Sequence, residues 1–142
     1  MPDRRIASGA AVESPVVRRA ETRLAADLTS LRESRRLVRE WLTAWSLADL
    51  IPVALVVVNV FVENVLEHTG GAPRMRIESD GATATIAVSD DSGAPAMRLP
   101  SPLKGFDVSG LAIVAALSRE WGSTPTSSGK TVWAVVGPEN QL

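Results

Sequence analysis

From Pro52 to His68 the chain reads PVALVVVNVFVENVLEH, seventeen residues dominated by Val, Leu and Phe that also carry Asn59, Glu63, Asn64, Glu67 and His68. A segment this apolar belongs in a core, and it is long for a strand and lacks strict alternation. Glu63 and Glu67 stand four apart, as do Asn64 and His68. A helix sets each pair along one side, whereas a strand scatters these groups over both faces. The spacing predicts a helix over 52–68, with Pro52 in its first turn and Gly70-Gly71 at its end. Burying polar groups is unfavourable unless they find partners. The asparagine and histidine near the helix end therefore call for hydrogen-bonding groups or a ligand, and Asn59 is expected to make a local hydrogen bond in the core.

The rest of the chain supplies a sheet and two more helices. Residues 1–15 are small and polar and read as a tail, leaving 16–142 as one domain, a size suited to a single core. VVRRAETRLAAD (16–27) is weakly alternating and suits an edge strand. Ser30 and Glu33 form a capping-box pattern, followed by Leu31, Leu37, Val38, Trp41, Leu42 and Trp45 at helical spacing. A first amphipathic helix is expected to end near Trp45, with both tryptophans as core anchors. PRMRIES and ATATIAVSD flank Asp80-Gly81, a hairpin signal, with Met75, Ile77, Ile86 and Val88 on the buried side. DSGAPAMRLPSPLKGFDVSG has no periodicity, and a loop of that length is usually functional, often a lid. LAIVAALSREWG reads as a helix running to Gly122, and Lys130–Val136 as a terminal strand. The order predicts an α+β two-layer sandwich, a mainly antiparallel sheet packed under three helices.

Composition narrows the function classes. The net charge of -1 gives no general attraction to nucleic acid or acidic membranes. Residues 1–40 hold nine arginines against six acidic residues, a basic stretch read as solvated surface. With no cysteine, disulfides and thiolate metal sites are excluded. The N-terminus lacks the apolar stretch of a secretory signal. The apolar run from Leu50 to Val62 is short for a bilayer and broken by Asn59. A cytoplasmic protein is the expectation.

In a two-layer sandwich the polar side of helix 52–68, Asp90 and Asp91 at a strand end, and the glycine-bearing loop before the third helix can meet. Such a pocket offers an amide oxygen for a hydrated Mg²⁺, a carboxylate for a ligand amine, and backbone N–H groups for phosphate. Each feature alone has a bland reading as cap, turn or loop punctuation.

Taken in order, these stretches resemble the histidine-kinase-like ATPase domains (the GHKL superfamily, Bergerat fold), and most closely the small actinobacterial anti-sigma-factor serine kinases. NVFVENVLEHTGG resembles the N box, VSDDSGAP the next box, KGFDVSGLAIVAAL the lid and glycine box, and WGSTPTSSGKTVWAVV the closing segment. The resemblance covers about residues 20–137. It implies ATP and Mg²⁺ as cofactors, with Asn64 as the metal-binding amide and His68 beside it. It further implies that Asp90 binds the adenine amine, that Gly93 lies against the base, and that Gly105, Gly110 and Leu111 lie at the phosphates, with Thr131 under the adenine. Its implied partners are a sigma factor or an anti-sigma antagonist, and a homodimer formed through the first strand and helix, with Leu24 contributing.

Two positions depart from the pattern. Val60 stands where active members carry a glutamate, and Val108 where glycine is usual. Glu63 is adjacent to Asn64, about 100° around the helix, and so is expected to face another way. Phosphotransfer is therefore expected to be weak or absent. A regulatory kinase, a non-catalytic binding module on the same fold, and an α+β protein whose polar helix end is merely satisfied core are the three competing readings.

Overall fold

The structure, a computed structural model, describes residues 16–69, 71–90, 108–127 and 129–142. The expected tail 1–15, most of the expected lid, and Gly93 and Gly105 with it, lie outside the described residues. Among the described residues there are three α-helices and five strands. In chain order they are β1 (Arg18–Arg23), α1 (Thr29–Ala44), α2 (Ile51–His68), β2 (Pro73–Ser79), β3 (Ala84–Asp90), α3 (Val108–Leu117), β4 (Glu120–Thr126) and β5 (Gly129–Val136), with a 3₁₀ turn, Ala48–Leu50, leading into α2. The strands form one antiparallel sheet in the order β1-β2-β3-β5-β4. The α+β architecture with three helices and an antiparallel sheet is as expected.

The helix α2 is central. Val53, Ala54, Val57, Val58, Val60, Phe61, Val62, Asn64 and Val65 are all buried, more than one face of a helix can supply. Burial on so many sides marks a helix covered by neighbours as well as by the sheet. Beneath it lie Met75, Ile77, Ile86, Val88, Val132, Ala134 and Val136, the alternate residues of three adjacent strands, all in the same core cluster. By length and composition Ala48–His68 could cross a membrane, contrary to the expectation that the run is too short, but half of it is buried inside the fold, as in a core helix. Leu24, expected to help a dimer form, is buried in this same core.

Local details refine the boundaries. Asp27, rather than the expected Ser30, opens α1: its Oδ1 accepts from Thr29 N at 2.9 Å. Ser30 lies inside the helix, buried, and its hydroxyl donates to Asp27 O at 2.8 Å. The end of α1 is closed by Ser46 at φ 62, with Leu47 N donating to Leu42 O and Ser46 N to Thr43 O. That is a Schellman arrangement, in which glycine is the usual occupant. The third helix stops at Leu117, and Trp121 and Gly122, expected to be helical, belong to β4. Gly122 sits under Trp133 of β5, where an added Cβ would come within 2.8 Å of the indole ring.

The β2–β3 hairpin turns through residues 80–83. Asp80 Oδ1 accepts from Ala82 N at 2.8 Å, Thr83 N at 2.7 Å and Thr83 Oγ1 at 3.1 Å, and Gly81 takes φ 98. Burial pushes the Asp80 carboxyl up, but these donors outweigh it and hold it below the usual range. A carboxylate depressed on folding stabilises the native state above its unfolded pKa, and that stabilisation is lost as pH falls through the folded value. Replacing Asp80 with Ala is expected to lower stability at neutral pH by about 1 kcal/mol. The difference from wild type should shrink in urea titrations at about pH 2.5.

Candidate functional site

The helix α2 presents a stripe of Leu55, Val56, Asn59, Val60 and Glu63 away from the sheet. With Arg35 of α1 and Gly110 and Ile113 of α3, this stripe bounds a groove of about 510 Å³. Asn59 is held by Arg35, whose Nη1 donates to Asn59 Oδ1 at 2.6 Å. This bond joins α1 to α2 and is the partner that Asn59 needed, supplied from another helix. Val60 and Glu63 line the same groove, so Glu63 does share the side of α2 that holds Val60, contrary to the expectation that it would face another way.

Asn64 follows Val60 by one turn and is buried, 3% exposed. His68 ends the helix with its side chain 31% exposed, and its Nε2 lies 3.7 Å from Glu67 Oε1. Glu67 is exposed, as expected of a solvent-facing carboxylate. Gly110 and Leu111 are both buried in the first turn of α3, and Gly110 stands on the groove wall with Val60 and Glu63. The helix bearing Asn64 and the first turn of the glycine-bearing helix thus meet. Neither Asn64 nor Asp90 is among the residues lining this groove.

Asp90 closes β3. Its place in the alternation follows Ile86 and Val88, so it lies on the helix-bearing face of the sheet. Gly129 is packed against it: a Cβ at that position would approach Asp90 Oδ2 to 2.8 Å. The absence of a side chain at 129 is what leaves room for the carboxylate. Burial pushes the Lys130 ammonium below the usual lysine range, and the negative charge of Asp90 opposes the shift. Thr131 lies in β5 as expected, but its hydroxyl is 3.0 Å from Ser89 Oγ. Its alternation with Val132 turns it to the face of the sheet opposite the core. The side chains of Asp90 and Thr131 are thus on different faces.

The chemistry of the donor set bears on a metal and on a purine. Among the described residues no three His, Asp or Glu side chains cluster to hold a metal ion. A cation at Asn64 would therefore have to share its coordination with ligand oxygens and water, which suits Mg²⁺. Asp90 in its glycine-floored position offers an acceptor for an amine. Asn64 and Asp90 thus supply an amide and a carboxylate, donor types that could hold a magnesium ion and an amine.

Gly129, Lys130, Ser89 and Arg35 were not singled out from the sequence. Gly129 stood before a strand, where glycine reads as punctuation. Arg35 is one of nine arginines in the first forty residues, with nothing to distinguish it. No protein-family model matches the chain, and no curated protein matches it significantly.

The Gly129–Asp90 approach yields a direct test. Gly129→Ala should force the carboxylate or the strand to shift and lower stability by about 1–3 kcal/mol. Chemical denaturation would measure it, and the double variant with Asp90→Ala should recover part of the loss.

Proposed function

We propose that the chain is an adenine-nucleotide-binding regulatory protein of the histidine-kinase-like ATPase type, built on the Bergerat fold and allied to the small anti-sigma-factor serine kinases. The observation that carries this reading is the meeting of α2 with the first turn of α3, where Gly110 shares a groove with Val60 and Glu63 one turn before buried Asn64. Two of the resembling stretches, the one holding Asn64 and the one holding Gly110, thus come from elements that pack together, which supports the reading.

In this reading Asn64 would hold Mg²⁺ through its amide oxygen, with water and phosphate completing the shell. Asp90 would accept a hydrogen bond from the adenine amine, and Gly93, Gly105, Gly110 and Leu111 belong to the nucleotide site. Backbone N–H groups in the first turn of α3 point along the helix axis and favour an anion there. His68, one turn after Asn64 at the exposed end of α2, would stand beside the site. Thr131 supports the strand and keeps its hydroxyl on Ser89. When bound, MgATP supplies a transferable phosphoryl group. The chain's own residues position and neutralise it, as phosphoryl transfer requires.

Val60 favours a second reading within the same fold. It is only 9% exposed, an apolar side chain where a carboxylate is needed to orient or deprotonate a partner's serine. Loss of such a base reduces rate by about 10²–10⁴-fold. Nucleotide binding with little or no transfer then makes the protein a cytoplasmic holder of a sigma factor or its antagonist.

Thermal-shift titration with ATP, ADP and GTP, with and without Mg²⁺, tests the shared core of both readings. Adenine nucleotide at a hundred times its dissociation constant should stabilise by about 2.7 kcal/mol. Asp90→Asn should erase the preference for ATP over GTP, and Asn64→Ala the dependence on Mg²⁺. An unchanged melting temperature with every nucleotide would overturn the proposal. If ATP binds, Val60→Glu in a labelled-ATP assay with candidate antagonists separates the readings. A gain of about 10²-fold or more in phosphoserine would mark a kinase lacking its carboxylate, and no gain would mark a binding module.

A further inference from the structure

We propose that the trough along α2, between α1 and α3, is a docking groove for an amphipathic helix of a partner protein, one that brings an acidic side chain to Arg35 and a basic side chain to Glu63. This goes beyond the nucleotide reading and is argued from the lining and charges of the groove. The trough is the groove that Gly110 shares with Val60 and Glu63, so the occupant would lie beside the proposed nucleotide site. The trough runs from Leu55 to Glu63, eight residues of helix or about 12 Å. That length matches two turns of an occupant laid alongside. Its apolar surface comes from Leu55, Val56, Val60 and Ile113. Ile113 is 43% exposed, on a helix whose other side is in the core.

The two charges specify the occupant. Arg35 and Glu63 are both partly buried on this groove, and neither has an ion-pair partner among the described residues. Arg35 is instead fixed by Asn59, one helical turn before Glu63. The Arg35 guanidinium is thus anchored at Asn59, which precedes Glu63 by four residues, about 6 Å of rise along α2, and the two opposite charges form no ion pair with each other. A helix with an acid and a base four residues apart presents the complementary pair at that spacing. Apolar residues between them would cover Val60 and Ile113, the helix-in-groove mode of recognition. A partly desolvated charge gains most from a partner when the surrounding surface is closed to water.

The test uses the full chain without nucleotide and stapled helical peptides of about 14 residues. Each carries the same leucine stripe, with Asp and Lys four apart in one peptide, two Asp in a second and two Lys in a third. Methyl NMR at Val60 and Ile113 reads the binding. Saturable shifts are expected, with the mixed peptide binding about fivefold or more tightly than either like-charged one. Glu63→Lys should transfer the preference to the doubly acidic peptide. No saturable shift with any peptide, equal affinity for all three, or an unchanged preference in Glu63→Lys would overturn the proposal. Shifts at the same methyls that follow protein concentration without peptide would also overturn it, by showing that a second copy fills the groove. The nucleotide titration is read separately, so failure of one proposal leaves the other standing.

Discussion

Val57, Val58, Phe61 and Val62 of α2 are fully buried over the inner face of the sheet, where Met75, Ile77, Ile86 and Val88 are equally closed to water. Each such side chain stabilises the fold by about 1.5–3 kcal/mol. Because these residues span two turns, the contact fixes both the rotation of α2 and its height above the strands. The positions of Asn59, Val60, Glu63 and Asn64 follow from that rotation. Once α2 is seated, α1 is tied to it through Arg35 and Asn59, and α3 covers its other side.

The polar residues of α2 then divide by depth. Asn59 is satisfied by a charged donor from α1, a bond stronger than one between neutral groups. Asn64 lies deeper, and Glu67 and His68 emerge at the helix end. Glu63 is intermediate, on the rim of an apolar groove. The presence of polar side chains in an apolar helix therefore has several causes rather than one. Part of it is interhelical bonding, part is solvent at a terminus, and part is a groove that faces outward.

Much of the framework was readable from residues alone. The α2 segment, the edge strand at Arg18–Arg23 and the β2–β3 hairpin came from signals that act locally: spacing, alternation and turn chemistry. The strand Glu120–Thr126 did not. Six of its seven residues are exposed, and Gly122 and Pro125 mask any alternation. Its pairing is dictated by β5 rather than by its own pattern. The opening of α1 differs from the sequence expectation because Ser30 and Glu33 imitate a capping box, whereas the Asp27 carboxylate accepts from Thr29 N and the Asp27 carbonyl from Ser30 N. The site was legible only in part. Asn64, Gly110 and Asp90 stand in ordered stretches, but the Arg35–Asn59 bond and the Gly129–Asp90 approach join positions far apart in the chain, where no local signal exists.

The sheet's outermost strand, β1, has a property that reaches past the single molecule. Its Arg19 and Glu21 reach Glu78 and Arg74 of β2 at 3.6 Å and 3.8 Å, placing a lattice of charge along an edge that pairs with no further strand among the described residues. At the far side β4 carries Pro125, which lacks an N–H to offer a newcomer. Edges blunted in these two ways resist recruiting another strand. Self-templated fibre growth by strand addition at these edges is thereby discouraged.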